Sequence, residues 1–244
     1  MKDEVKYIIK MIKREIPEIA ILSLIGSYKF GGSAGDIDIF LILAEEEENE
    51  DEIFRKMDVL IEILDGASED NVLISHFNIT KILSAEAYKE CYKKDISQVH
   101  LLFYPTVKEF ITWENPWVVK SICEDAINNL ICGDRNILLR ILNKNRNKLS
   151  LESLYSFTLE RLLNSFVFIP NPVNAVTNFE IKMVNYCLKN IERITGEAKI
   201  PTEAKEKIKK EVEEIKILNE LKNSSRVEVR KNVLKLLSEV SRFI

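Results

Sequence analysis

Four of the chain's seven glycines, Gly26, Gly31, Gly32 and Gly35, fall within ten positions, between the apolar run Ile19–Ile25 and a second that begins at Ile37. Glycine reaches left-handed backbone, and tolerates close approach by another group, without the clash a Cβ would cause. With so few glycines elsewhere, the permissive backbone of this chain is concentrated where it must turn sharply or admit a neighbour. The flanking runs are short and rich in β-branched residues. They are expected to be two buried strands, Ile19–Ile25 and Asp36–Leu43, joined through the glycine loop.

The remaining chain divides around them. Val5, Ile8, Ile9 and Ile12 stand at helical spacing over residues 3–15, and Pro17 ends the pattern. The acidic run Glu45–Glu52 suits a solvated loop and the first turn of a helix around 53–64, because acid complements the positive end of the helix dipole. Two more strand-like runs, 71–83 and 98–104, flank a helical-looking segment at 85–94. Pro105 is expected to end the second run, and Asn115-Pro116 to form a linker. Beyond it, 117–132, 135–148, 151–168, 174–194, 202–222 and 226–243 carry the three-and-four spacing of helices, broken by Gly133, Pro170, Pro172, Gly196 and Pro201. Residues 170–176 are expected to form a turn. The expected fold is α+β: a small mixed β-sheet domain with flanking helices over residues 1–116, then an all-α helical bundle over 117–244. Trp113 and Trp117 are expected to pack at the junction.

Charge supports the division. Residues 1–116 carry 13 Lys/Arg against 23 Asp/Glu, a balance of −10, and residues 117–244 carry 22 against 16, a balance of +6, which sum to the chain's −4. A basic second half can attract a phosphate-bearing partner, or can simply have solvated Lys/Glu helix faces. No apolar stretch reaches the ~20 residues of a membrane span, so no membrane partner is expected. The amphipathic N-terminus lacks the form of a secretory signal, so a cytoplasmic location is expected. Cys91, Cys123, Cys132 and Cys187 lie far apart with only two histidines to join them, which favours buried reduced thiols over a zinc cage or disulfides.

The chemistry lies in residues 24–43, LIGSYKFGGSAGDIDIFLIL. Alternation along the strand puts Asp36 and Asp38 on one face and Ile37, Ile39 and Leu41 on the other. Neighbouring carboxylates repel each other unless a cation lies between them, and Mg²⁺ is the hard, oxygen-seeking cation held by one or two carboxylates together with substrate phosphates. A lone D-x-D would suit an ordinary strand start, but this one completes the pattern G-S-x-x-x-G-x-x-x-x-D-x-D. Gly26 and Gly31 would let a triphosphate approach the backbone, and the Ser27 hydroxyl with nearby N–H groups would hold phosphate oxygens. Lys29 offers a positive charge in the same loop, although a solvent-facing lysine fits the sequence equally. G-K-[ST], G-x-G-x-x-G and H-E-x-x-H are all missing, which leaves P-loop, dinucleotide and metalloprotease chemistry without support.

The segment GSYKFGGSAGDIDIFLIL resembles the active-site signature of the nucleotidyltransferase superfamily, the DNA polymerase beta-like fold. The match covers residues 19–43, the element order to about residue 105 is compatible with it, and Gly35 stands where many relatives have serine. The resemblance implies transfer of an NMP from an NTP, ATP being the expected one, to a hydroxyl of a small molecule, protein or RNA. Asp36 and Asp38 would hold Mg²⁺ or Mn²⁺. It also implies a third carboxylate on a later strand. The candidate strands carry His76, Asn78 or His100 at the places where that acid is expected. His100 is the more suggestive, since a neutral imidazole can accept a proton near pH 7, and Glu86 lies just past the first of these strands. Two alternatives follow: a catalytically weakened nucleotide-binding or regulatory module that lacks the third carboxylate, and a partner protein of the toxin–antitoxin type. The helical half would then be a substrate-binding or homodimerisation platform.

Overall fold

The computed structural model describes residues 3–26, 36–46, 50–67, 72–76, 97–167, 175–221 and 225–244, with side chains at all of these except 3–5, 36–37, 50, 67, 72–76, 97–100, 164–167 and 175–180. The expected segment 85–94 and the turn at 170–174 lie outside the described residues. The fold is α+β. Two compact units divide between Asn147 and Lys148.

The first unit is built on a mixed five-stranded sheet in the order β3-β4-β2-β1-β5. Its strands are β1 (Ile21–Ile25), β2 (Asp36–Ala44), β3 (Val72–His76), β4 (Ser97–Thr106) and β5 (Leu130–Gly133). β3, β4 and β2 run parallel, while β1 is antiparallel to both β2 and β5. Both faces of the central strands are buried, which explains their nearly continuous apolar sequence. On one face Leu22, Leu24, Ile39, Leu41 and Leu101 meet α1 (Asp3–Glu15) and α2 (Glu50–Ala67) through Ile8, Ile12, Leu60 and Ile63. On the other, Ile21, Ile25, Phe40, Ile42, Leu102 and Tyr104 meet α3 (Val107–Trp113), α4 (Pro116–Asn128) and α5 (Arg135–Asn145). Phe40, Tyr104 and Phe110 stack as a tilted trio there, with centroids 4.9–6.2 Å apart. The Tyr104 hydroxyl donates to Glu114 Oε1 at 2.6 Å. Burial, reinforced by that carboxylate, raises the Tyr104 pKa, so it stays protonated at any physiological pH.

Several expectations are corrected. The sequence places a domain boundary at 116/117, but α4, β5 and α5 all pack with the sheet, and the units divide after Asn147. Asn115 is a helix cap rather than a linker: its side chain accepts from Trp117 N at 3.0 Å, and Pro116 opens α4 with the fixed φ suited to that place. Residues 130–132, expected to continue a helix, form β5, because LICG completes the free edge of β1. β4 runs through Pro105 to Thr106. There the β3 pairing has already ended at Leu101 and Pro105 is skipped in the β2 pairing, so its missing N–H falls outside the ladder. Trp117 is buried, whereas Trp113 is 64% exposed, and both belong to the first unit. Gly196 lies within the last turn of its helix rather than ending it.

The second unit is a bundle of α6 (Leu151–Val167), α7 (Ala175–Glu197), α8 (Thr202–Glu220) and α9 (Arg226–Val240), in which α9 packs against the other three. Leu154, Leu188, Ile191, Val212, Val233 and Leu236 are among its fully buried side chains. Its best-connected polar group is Asn219. The side chain donates to Ile181 O (3.1 Å) and Asn185 Oδ1 (2.9 Å), and accepts from Arg226 Nη1 (2.8 Å). Arg226 also donates to the carbonyls of Asn219 and Leu221, closing the C-terminal end of α8 where a cation suits the helix dipole. Burial pushes the Cys123 and Cys187 thiols up to about 12, in keeping with inert reduced cysteines. Cys91 lies outside the described residues. Among the described residues no helix is long and apolar enough to cross a membrane.

Two substitutions test this framework. Gly133 has φ +102°, and a Cβ there would meet the Ala20 carbonyl carbon at 2.7 Å. Gly133→Ala is expected to cost at least about 2 kcal/mol by adding backbone strain to a collision. Asn219→Ala strands the amide's partners in a buried site and is expected to cost about 2–3 kcal/mol. Urea unfolding followed by circular dichroism reads both.

Candidate functional site

The site forms where β1 ends. In the antiparallel pairing of β1 with β2, Ile25 stands opposite Asp38, so the residue after β1, Gly26, sits beside that aspartate. Gly26 has φ +78°, a left-handed conformation, and a Cβ on it would collide with Asp38 Oδ2 and lie 3.3 Å from Asp38 Cγ. The glycine is therefore required twice, by its own backbone and by the carboxylate lying against it. Asp38 is half-buried, and the next residue on its face, Phe40, belongs to the aromatic trio.

The last turn of α4 closes the other side. Ser23 Oγ donates to Ala126 O (3.2 Å), Leu24 N to Asn129 O (3.4 Å) and Gly26 N to Asp125 Oδ2 (3.1 Å). Asn129 Nδ2 in turn holds the Asp125 carbonyl at 2.9 Å. Two carboxylates thus lie against one glycine, Asp38 on its α-carbon and Asp125 on its N–H. The C-terminal end of α4, which carries the negative pole of the helix dipole, adds to the same field. Such a place favours a cation.

Of the sequence-predicted residues, the structure brings Gly26 and Asp38 into contact. It sets Asp36 at the start of β2, two positions before Asp38, with its side chain outside the description. Ser27, Lys29 and Gly31 lie outside the described residues, as do Asn78 and Glu86. The backbone of His100 on β4 is in direct register with Asp38, and that of Ser75 on β3 with His100. His76 is in register with Leu101 and so belongs to the next row of the sheet. Register thus separates the two histidines: position 100 shares the row of Asp38, and position 76 does not.

Asp125 was not singled out by the sequence. It lies 99 positions from Gly26, in a segment expected to belong to another domain. The available signal was an acid beside the buried stripe Ile122, Cys123 and Ala126 of α4.

Among the described residues no three acid, histidine or cysteine side chains form a metal-holding group. The Asp38 carboxylate is a hard oxygen donor of the kind Mg²⁺ takes, and Mg²⁺ commonly needs only one or two carboxylates from the protein. Asp38 fits such a cation. No protein-family model matches the chain, and no curated protein is significantly similar to it.

Gly26→Ala is expected to destabilise the first unit by about 1–3 kcal/mol, since φ +78° and the Asp38 carboxylate both oppose a methyl. In the Asp38→Ala background the penalty should fall by about 1 kcal/mol, leaving the backbone part. A double-mutant cycle by urea unfolding measures the coupling, and strictly additive penalties would contradict the contact.

Proposed function

We propose that the chain is a metal-dependent nucleotidyltransferase that moves an NMP, with ATP as the expected donor, onto a hydroxyl acceptor. The observation that carries this is the seating of the D-x-D strand against Gly26: Asp38 is paired to the last residue of β1 and lies against the glycine that follows it. The sequence pattern requires this juxtaposition if carboxylates and phosphate loop are to serve one ligand.

Asp36 and Asp38 would hold Mg²⁺ or Mn²⁺. When bound, the metal neutralises triphosphate charge and supports departure of pyrophosphate. The rest falls to the chain. Because the Gly26 N–H is engaged by Asp125, phosphate contacts would fall to residues beyond it, for which the sequence offers Ser27, Lys29 and Gly31. The hydroxyl acceptor needs a group to take its proton, and His100, in register with Asp38, is the candidate. A cytoplasmic location would supply the NTP and Mg²⁺.

The basic balance of the second half does not by itself favour RNA as acceptor. Along α8 the lysines pair with carboxylates: Lys207 with Glu239 and Glu211, Lys209 with Glu206, and Lys216 with Glu192 and Glu213. A small molecule or a protein hydroxyl fits as well. The register of His100, where the resemblance leads one to expect an acid, favours a second reading: a nucleotide-binding module with little turnover.

Incubation with α-phosphate-labelled NTPs, Mg²⁺ or Mn²⁺ and cell extract should label an acceptor, and the Asp36→Ala, Asp38→Ala double variant should not. Identical labelling by the two proteins would exclude nucleotidyl transfer at this site. Metal-dependent NTP binding by calorimetry, with no labelling under any condition, would establish the binding module instead.

A further inference from the structure

We propose that Asp125 is a positioning residue of this nucleotide site, holding Gly26 so that the Asp38 carboxylate keeps its seat. The proposal rests on the nucleotidyltransferase reading and adds to it a residue that the D-x-D signature does not contain. It begins with the edge of β1. Leu24 N–H points toward the β5 side, where it reaches Asn129 O. Two residues on, alternation turns the Gly26 N–H to the same edge. β5 starts only at Leu130 and runs antiparallel, so no backbone carbonyl of that strand extends to Gly26. The Asp125 carboxylate takes the place of the missing ladder acceptor at 3.1 Å.

That bond fixes more than a strand end. The N–H of a residue at φ +78° is held on one side while the Asp38 carboxylate fills the space where a side chain would project. If Gly26 relaxes toward ordinary backbone angles, its α-carbon turns and Asp38 loses the surface it lies against. Asp125 therefore acts on Asp38 through Gly26, with no contact to the nucleotide required. Its own position is secured by the helix: Ala126 is buried, Asn129 holds the Asp125 carbonyl, and Ser23 ties the same turn to β1. An aspartate here makes a charge-assisted bond that an asparagine carbonyl can reproduce in geometry and an alanine cannot.

Asp125→Ala and Asp125→Asn separate the possibilities, and since the side chain is half-buried and its helix turn is held by other bonds, both should fold. The first readout needs no activity. In a ¹⁵N-labelled protein the Gly26 amide proton should be downfield and slow to exchange in the wild type and in Asp125→Asn, and upfield and faster in Asp125→Ala. The second is kinetic: Asp125→Ala should lose about 10- to 100-fold in kcat with KM for the NTP changed less than about threefold, as expected of a misplaced group, while Asp125→Asn stays within about threefold of wild type. The third is Mn²⁺ affinity by electron paramagnetic resonance, expected to weaken about fivefold or more in Asp125→Ala only. An unmoved Gly26 amide in Asp125→Ala would overturn the proposal, as would an Asp125→Asn variant as impaired as the alanine. If the wild type transfers nothing, the nucleotidyltransferase reading fails by itself, and the amide and Mn²⁺ measurements still decide whether Asp125 positions Asp38.

Discussion

The pairing of β1 with β2 is the constraint from which the first unit follows. Its register sets Ile25 against Asp38, and the pleat then sorts every neighbouring residue to one of two faces. Ile39, Leu41 and Leu43 turn to the α1 and α2 side, Phe40 and Ile42 to the side of α3, α4 and α5. A slip of one residue would turn Asp38 and Phe40 together to the α1 and α2 side and Ile39 and Leu41 to the other. Two dense apolar cores therefore lock the position of one carboxylate. Catalytic geometry demands this of a site, that it stand on a rigid element whose register cannot drift.

Legibility followed the range of the determining interactions. The helix at 3–15, the strands at 21–25 and 36–44 and the four helices of the second unit were legible, because each shows in its own hydrophobic period. β5 was not. Residues 130–132 carry too few apolar positions to distinguish strand from helix, and only the vacant edge of β1 decides the matter. The domain boundary failed for the same reason: Asn115-Pro116 looks like a linker in sequence, yet Asn-Pro is also a strong helix start, and the buried stripe of α4 needed the sheet as its partner. In the site, Gly26 and Asp38 were legible as a pattern, but their reason was only half seen. The sequence leads one to expect glycine at 26 to admit a phosphate; what the structure shows against it is the Asp38 carboxylate.

The second unit illustrates how little net charge says by itself. Residues 148–244 carry 17 Lys/Arg against 13 Asp/Glu, a balance of +4 that suggests an anionic partner, but on α8 Lys207, Lys209 and Lys216 each lie against a glutamate of the same or a neighbouring helix. Exposed pairs of this sort contribute little stability. Their consequence is that the charge of these three lysines is neutralised locally. What specifies the bundle is the buried Asn219–Arg226 arrangement, which joins α7, the end of α8 and the start of α9. Those polar atoms can be satisfied in only one packing of these three helices.

The expectation of a third acid on a strand assumes that a carboxylate must come from the sheet to reach its neighbours. Sheet geometry does not require it. A helix whose last turn is bonded to the end of β1 delivers its side chains to the same place, and here it delivers Asp125 to the N–H of Gly26, one residue past the register partner of Asp38. The histidine in register on β4 and the aspartate from α4 then have different tasks open to them. Position 100 stands in the row of Asp38, and the Asp125 carboxylate lies on the backbone N–H of Gly26. Asp125 therefore does not stand in for the missing acid: it holds the turn at Gly26, and on the proposed reading the proton-accepting role is left to position 100.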